Sequence, residues 1–205
     1  MITAEQILKV LCERKERGER EIYVTDVTKC LKKAYYSIVR PKEMAPQALA
    51  GRLLHEAFAR NLQQALPLFF EVSFALGLEN GWVLKGRCDA IADDCVYEFK
   101  FTRSISKAKE NASYYLQLQL YCHAFRAKKG YLVLIDRETF DMEFVEVQPD
   151  VYVAERLIED AKYLCDCLEK RKVPEKLSPR FDGECEFCDY TDLCSRGEEH
   201  AERSF

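Results

Sequence analysis

The chain has 205 residues, 48% hydrophobic and 12% aromatic, which is enough to bury a core and too apolar for a disordered segment. Its formal net charge of −4 excludes a global basic field, so a nucleic acid would have to be held by a local patch. Met1 to Arg20 does not resemble a signal peptide, and no apolar run approaches the roughly 18 residues of a membrane span. A soluble, cytoplasmic protein is expected, and in that compartment clustered cysteines bind metal more often than they form disulfides.

In chain order, Ile7, Leu8, Val10 and Leu11 among charges predict an amphipathic first helix over residues 3–17. Glu19 to Val24 reads as a short extended piece. Thr25 or Asp26 can cap a second helix that runs to about Val39 and stops before Pro41; Cys30 falls on it, among Lys29, Lys32 and Lys33. Leu49, Leu53, His55, Phe58, Ala59, Leu62 and Leu66 recur at helical spacing and predict a long helix over 45–66. Gly51 inside it, at about 1 kcal/mol relative to Ala, asks for a nearby helix start or a close contact.

Phe69 to Leu76 alternates as a strand, and Gly77–Gly81 is a turn. Residues 82–100 then read as a hairpin: Trp82, Leu84, Ile91, Val96, Tyr97 and Phe99 are strand formers, and Asp93-Asp94 makes the turn. On its second strand Glu98 and Lys100 are two apart and share a face, while Phe99 points to the other. Asp89 lies on the neighbouring strand, within reach of Glu98. Two carboxylates and a lysine on one sheet face make a site for a divalent cation and a polarised water.

Ser104 to Asn111 is polar and basic, with Lys107 and Lys109. Ala112 to Ala127 is a helix that Gly130 is expected to end, and Gln117 and Tyr121, four apart, share one of its faces. Tyr131–Asp136 and Thr139–Val147 pair as a second hairpin, and a last long helix runs from Pro149 to about Arg171. Pro174 and Pro179 mark a linker before an acidic, cysteine-bearing tail. Helices flanking a mixed sheet make the class α/β.

Cys185, Cys188 and Cys194 are spaced C-x2-C-x5-C in a tail too poor in apolar residues to fold alone, so a metal centre would supply the missing core. A fourth ligand would have to come from elsewhere, from Cys30 or His200; the choices are zinc, an iron–sulfur cluster, or no centre at all, the three being ordinary buried cysteines. Cys12, Cys88, Cys95, Cys122, Cys165 and Cys167 read as small core residues.

These motifs together resemble the CRISPR-associated RecB-type nucleases that carry an iron–sulfur cluster. The resemblance rests on Gly51-x-x-x-His55-Glu56, Gly86-Arg87-x-Asp89, Glu98-Phe99-Lys100, Gln117-Leu118-Gln119-Leu120-Tyr121, Cys30 followed by Lys32, Lys33, Tyr35 and Tyr36, and the C-terminal cysteine triplet. It implies a restriction-endonuclease-like PD-(D/E)xK core. It further implies Mn²⁺ or Mg²⁺ held by His55, Asp89, Glu98 and the backbone carbonyl of Phe99, with Asp89, Glu98 and Lys100 catalytic. Cys30, Cys185, Cys188 and Cys194 become the cluster ligands, for [4Fe–4S] in preference to [2Fe–2S]. Gln117, Tyr121, Arg87 and Arg103 become contacts to DNA or supports of the site.

The implied organisation is an N-terminal segment 1–40 giving one cysteine, a nuclease core 41–173 and a cysteine module 174–205. The implied activity is 5′→3′ exonuclease cleavage of single-stranded DNA, or of DNA with overhangs, beside the CRISPR integrase complex. The alternatives are a DNA-end binding subunit without essential cleavage and a recombination or repair nuclease.

Overall fold

In the computed structural model the described residues are 3, 6, 10–12, 17–43, 46–175, 180–181, 183–186 and 188–195; most of the first predicted helix, and His200, lie outside them. The chain then runs β1 (Glu21–Tyr23), α1 (Val24–Val27), α2 (Leu31–Val39), α3 (Pro46–Ala65), β2 (Phe69–Gly77), β3 (Val83–Ala92), β4 (Cys95–Thr102), α4 (Ile105–Lys109), α5 (Ala112–Phe125), β5 (Lys129–Asp136), β6 (Met142–Val147), α6 (Val151–Glu169) and α7 (Thr191–Ser195).

The second predicted helix is two helices, because its cap residues do other work. Tyr23 is the N-cap of α1, and Asp26, inside the helix, reaches back to accept the Tyr23 N–H at 2.7 Å while Arg17 clamps it at 2.6 Å. The Thr28 N–H closes α1 on the Val24 carbonyl. Cys30 is therefore not on a helix but at the N-cap of α2, where the chain turns. Gly130 is likewise not a helix stop. Left-handed Arg126 (φ 53°) ends α5, and Gly130 lies in β5, where a Cβ would stand 3.1 Å from Cys122 Sγ and 3.3 Å from Leu118 Cδ2. For Gly51, in α3, nothing among the described residues beyond its own helix backbone comes within 4 Å of where a Cβ would stand, so the expected close contact is not found.

The six-stranded sheet is mixed, as expected. β1 pairs parallel with the first half of β3, β4 parallel with β5, and β2/β3, β3/β4 and β5/β6 are antiparallel. One face carries the main core, in which Ile22, Val24 and Tyr35 pack with Leu118 of α5 and Leu157 and Leu164 of α6. The other face packs Ala90, Phe99, Val133 and Ile135 against Phe58 and Leu62 of α3, with Phe58 edge-on to Phe99 and Phe101. Among the described residues no helix is long and apolar enough to cross a membrane.

Gly86 is required by close approach. A Cβ there would fall 2.3 Å from the Phe74 ring and 2.7 Å from Val24 Cγ2. Gly86→Ala is expected to cost about 1–3 kcal/mol by overpacking, read as a lowered midpoint in urea with an unchanged slope.

Cys88, Cys122, Cys165 and Cys167 are buried as expected, while Cys12 and Cys95 are only partly so. Burial pushes the thiols of Cys122 and Cys165 up from 9.0 to about 12. Between those values the unfolded chain gives up protons that the folded chain keeps, so stability falls as pH rises above about 9. Each thiol contributes about 1.4 kcal/mol per pH unit. Denaturation between pH 8 and 10.5 should show this loss, and Cys122→Ala with Cys165→Ala should reduce it, leaving the share of Cys88, whose thiol burial also pushes up to about 12.

Candidate active site

The hairpin β3–β4 pairs only over Ala90–Ala92 with Cys95–Tyr97 and then opens. In the gap the Asp89 carboxylate takes the place of a strand: its Oδ2 accepts the Phe99 backbone N–H at 2.7 Å. Its other oxygen, Oδ1, lies 2.9 Å from His55 Nε2, delivered by α3 across the opposite face. Two residues along β4, Lys100 Nζ donates to Glu98 Oε1 at 2.5 Å and sits 5.1 Å over the Tyr114 ring of α5. The strand period thus puts Glu98 and Lys100 on one face and Phe99 in the core of the other, as the sequence implied.

Both carboxylates are buried, Glu98 at 4% and Asp89 at 9% exposure. Glu98 Oε2 is buried and has no hydrogen-bond partner among the described residues. An orphaned carboxylate oxygen costs free energy unless something positive meets it. Burial pushes the Glu98 carboxyl up to about 7, against the pull of Lys100. Burial also disfavours the Lys100 charge, but Glu98 and Asp89 more than offset it and the ammonium is held above its usual range. His55 is raised as well, chiefly by its hydrogen bond to Asp89.

Of the other residues singled out, Gln117 and Tyr121 are buried on α5 rather than open to a ligand. Burial, and then the Glu98 and Asp89 charges, raise Tyr121 well above its usual range. Arg87 is exposed and paired with Glu71 at 3.3 Å, at the rim of a cleft of about 620 Å³ that also holds His55, Arg52 and Arg60. Arg103 is exposed just past β4 with no ion pair among the described residues. A larger cavity, about 680 Å³, lies between β2, α5 and the start of α6 and touches none of His55, Asp89, Glu98 and Lys100. Tyr114, under Lys100, is a part of the site that the sequence motifs do not flag; its i and i+3 relation to Gln117 is the signal that points to it.

The four cysteines singled out also meet. Cys30, Cys185, Cys188 and Cys194 line one cavity of about 250 Å³, walled by Tyr36 and Tyr190, whose rings stack at 6.0 Å. The closure depends on two residues the sequence did not flag. Buried Glu184 accepts the Cys30 N–H at 2.9 Å and the Arg180 N–H at 2.7 Å. Arg180 in turn reaches the Val27 carbonyl at 3.1 Å, the Lys29 carbonyl at 3.3 Å and buried Asp160 at 2.5 Å. Among the described residues no three His, Cys, Asp or Glu side chains stand close enough to hold one ion as they are placed.

The model of the PD-(D/E)XK nuclease superfamily matches residues 4–195. The chain is 29% identical over 191 residues to a CRISPR-associated exonuclease Cas4 of Saccharolobus solfataricus, covering 87% of this chain and 89% of that protein. Among solved structures it is similar to SSO0001, with a TM-score of 0.73 and 29% identity over 95% of this chain and 96% of the other. The fold alone is shared with LHK-Exo of Laribacter hongkongensis in complex with dAMP, with a TM-score of 0.54 and 14% identity over 82% and 93% of the two chains.

Proposed function

The chain belongs to the PD-(D/E)XK nuclease superfamily and is a nuclease, and from that premise we propose that it removes nucleotides from the 5′ end of single-stranded DNA using a divalent cation. The carrying observation is the buried, unpartnered Glu98 Oε2 beside Asp89 and His55. Glu98, Asp89, His55 and the Phe99 carbonyl would hold the cation; oxygen donors suit Mg²⁺ or Mn²⁺, and the imidazole shifts the preference towards Mn²⁺. When bound, the cation supplies a polarised water and charge relief at the phosphoryl oxygens.

The protein's own part is orientation. Lys100, kept charged by Glu98, steers the attacking water and steadies the charge that grows on the phosphoryl oxygens. Asp89 is fixed from two sides, by the Phe99 N–H and by His55, so it does not have to reorganise during the reaction. Water attacks phosphorus in line and the bond to the 3′ oxygen breaks. The 3′ oxygen takes up a proton, and the products carry a 5′-phosphate and a 3′-hydroxyl. Gln117 and Tyr121, buried on α5, support the site, and Arg87 and Arg103 meet the strand outside.

The four cysteines that line this cavity are a donor set for an iron–sulfur cluster or for zinc, and the resemblance of the sequence motifs favours the cluster. The likeness to a CRISPR-associated exonuclease supports a place in trimming DNA ends for a CRISPR integrase complex.

The test is digestion of single-stranded DNA labelled at either end, with Mn²⁺, Mg²⁺ or EDTA. Metal-dependent release of the 5′ label as mononucleotides is expected, with circular strands resistant. No metal-dependent cleavage would overturn the assignment, and release from the 3′ end would reverse the polarity. Iron and sulfide analysis of anaerobically purified protein tests the cluster.

A further inference from the structure

A lysine carries a compact charge at the end of a flexible four-carbon stem, and one ion pair fixes its distance from the partner without fixing where the other N–H groups point. Lys100 has a second hold. Its Nζ bonds Glu98 Oε1 at 2.5 Å and lies 5.1 Å from the centre of the Tyr114 ring. The carboxylate meets the ammonium from β4, and the negative face of the ring meets it from α5. The Lys100 side chain is only 21% exposed, so little water competes for the charge and the attraction to the ring is near the strong end of its range.

Tyr114 is itself fixed. It stands on the first turn of α5, where the Asn111 side chain accepts the Ser113 N–H at 3.1 Å and the Ser113 hydroxyl at 2.8 Å. The Tyr114 N–H reaches the Asn111 carbonyl at 3.1 Å. Ser113 is buried, and the Tyr114 ring is half-buried against the main core. Tyr115, beside it, is half-buried in the same packing, yet among the described residues no cation lies over its ring.

We infer that Tyr114 is a positioning residue of this site: its ring face, with the Glu98 carboxylate, aims the Lys100 ammonium at the phosphate being cut. This rests on the nuclease reading above. A lysine held from one side only spreads over several rotamers, and few of them point at the reacting group. Loss of the ring therefore falls on kcat and not on KM, since Lys100 acts on charge that develops in the transition state.

The experiment compares Tyr114→Leu, Tyr114→Phe and Tyr115→Leu in Mn²⁺-dependent cleavage of a single strand, alone and combined with Lys100→Ala. Tyr114→Leu should lower kcat about 3–30-fold and leave KM within about twofold of wild type. Tyr114→Phe, which keeps the ring face, and Tyr115→Leu should both cut at the wild-type rate. On a Lys100→Ala background Tyr114→Leu should cost nothing further, because the contact it removes is already gone. Circular dichroism checks each fold, and Tyr114→Met takes the place of the leucine variant if that one does not fold. A second readout needs neither metal nor DNA. In protein carrying lysine labelled with ¹³C at the ε carbon, the Lys100 signal is assigned by its loss in Lys100→Ala. The ring current should set its ε protons upfield of the other lysines in wild type and Tyr114→Phe, and they should return among them in Tyr114→Leu. An equal loss of rate in Tyr114→Phe or Tyr115→Leu overturns the role, and so does a full further loss on the Lys100→Ala background. Wild type that cuts while Tyr114→Leu cuts equally fast, or that lacks the shifted signal, also overturns it alone. Wild type that shows the shifted signal and does not cut DNA overturns the nuclease reading, and the role with it.

Discussion

Lys100→Ala is expected to lower the single-turnover rate of DNA cleavage by at least about 10²–10³-fold while leaving the protein folded. The size follows from its place: a charged donor, pre-aimed by a 2.5 Å bond to Glu98 and backed by the Tyr114 ring, acts where negative charge develops. Removing one such preorganised donor costs about 3–4 kcal/mol of transition-state stabilisation. The fold survives because the change corrects itself electrostatically. Lys100 is what holds the Glu98 carboxyl down against its burial, so without it the acid takes up a proton and no bare charge is left inside. The variant should therefore melt within a few degrees of wild type by circular dichroism. Retained cleavage at the wild-type rate would remove Lys100 from the chemistry. Loss of cleavage together with loss of the folded signal would leave it a structural role only, and Lys100→Met, which keeps the aliphatic stem over Tyr114, separates the two cases.

The parts of this site that could be read from the sequence are those set by a short period. Glu98, Phe99 and Lys100 had to alternate across a strand, and strand formers on both sides of Asp93-Asp94 left little freedom to the hairpin. The length and face of α3 followed from its apolar spacing, and so did the reach of His55. What could not be read depends on contacts distant in sequence. No local pattern says that β3 and β4 part after Ala90, so that Asp89 must cap the Phe99 N–H. The turn at Cys30 was hidden because, besides the local Asp26 cap, it is held from 154 residues away by the Glu184 carboxylate that takes the Cys30 amide. Gly86 read as part of a motif around the acid, yet its reason is steric, the Phe74 ring and the Val24 methyl. Gly130 was misread because Gly after a helix is a common stop; here the helix ends on Arg126, and the glycine admits α5 onto β5.

If the cysteine cavity holds the proposed cluster, Cys30→Ala is expected to lose the metal and to lower the melting temperature by roughly 10 °C. The cavity takes one wall from the N-cap of α2 and three from the tail, so a cluster there closes a loop of some 155 residues between Cys30 and Cys185. For a disulfide-like cross-link the lost chain entropy corresponds to about 5 kcal/mol. For a chain of this size each kcal/mol moves the midpoint by about 2–4 °C. Two things bring the expected shift to the lower end of that product. Glu184 and Arg180 already tie the tail to the turn by hydrogen bonds that the substitution leaves in place, and the stacked Tyr36 and Tyr190 rings keep their contact. The measurements are iron and sulfide per chain, the visible absorption spectrum, and the melting curve of anaerobically purified wild type, Cys30→Ala and His200→Ala. Iron lost in Cys30→Ala and kept in His200→Ala assigns the fourth ligand to the N-terminal turn. The opposite pattern moves it to the tail, and the loop-closure stabilisation disappears with it, because a module ligated only by residues 185–200 leaves the rest of the chain free. A colourless wild type carrying zinc in both backgrounds would end the cluster assignment outright.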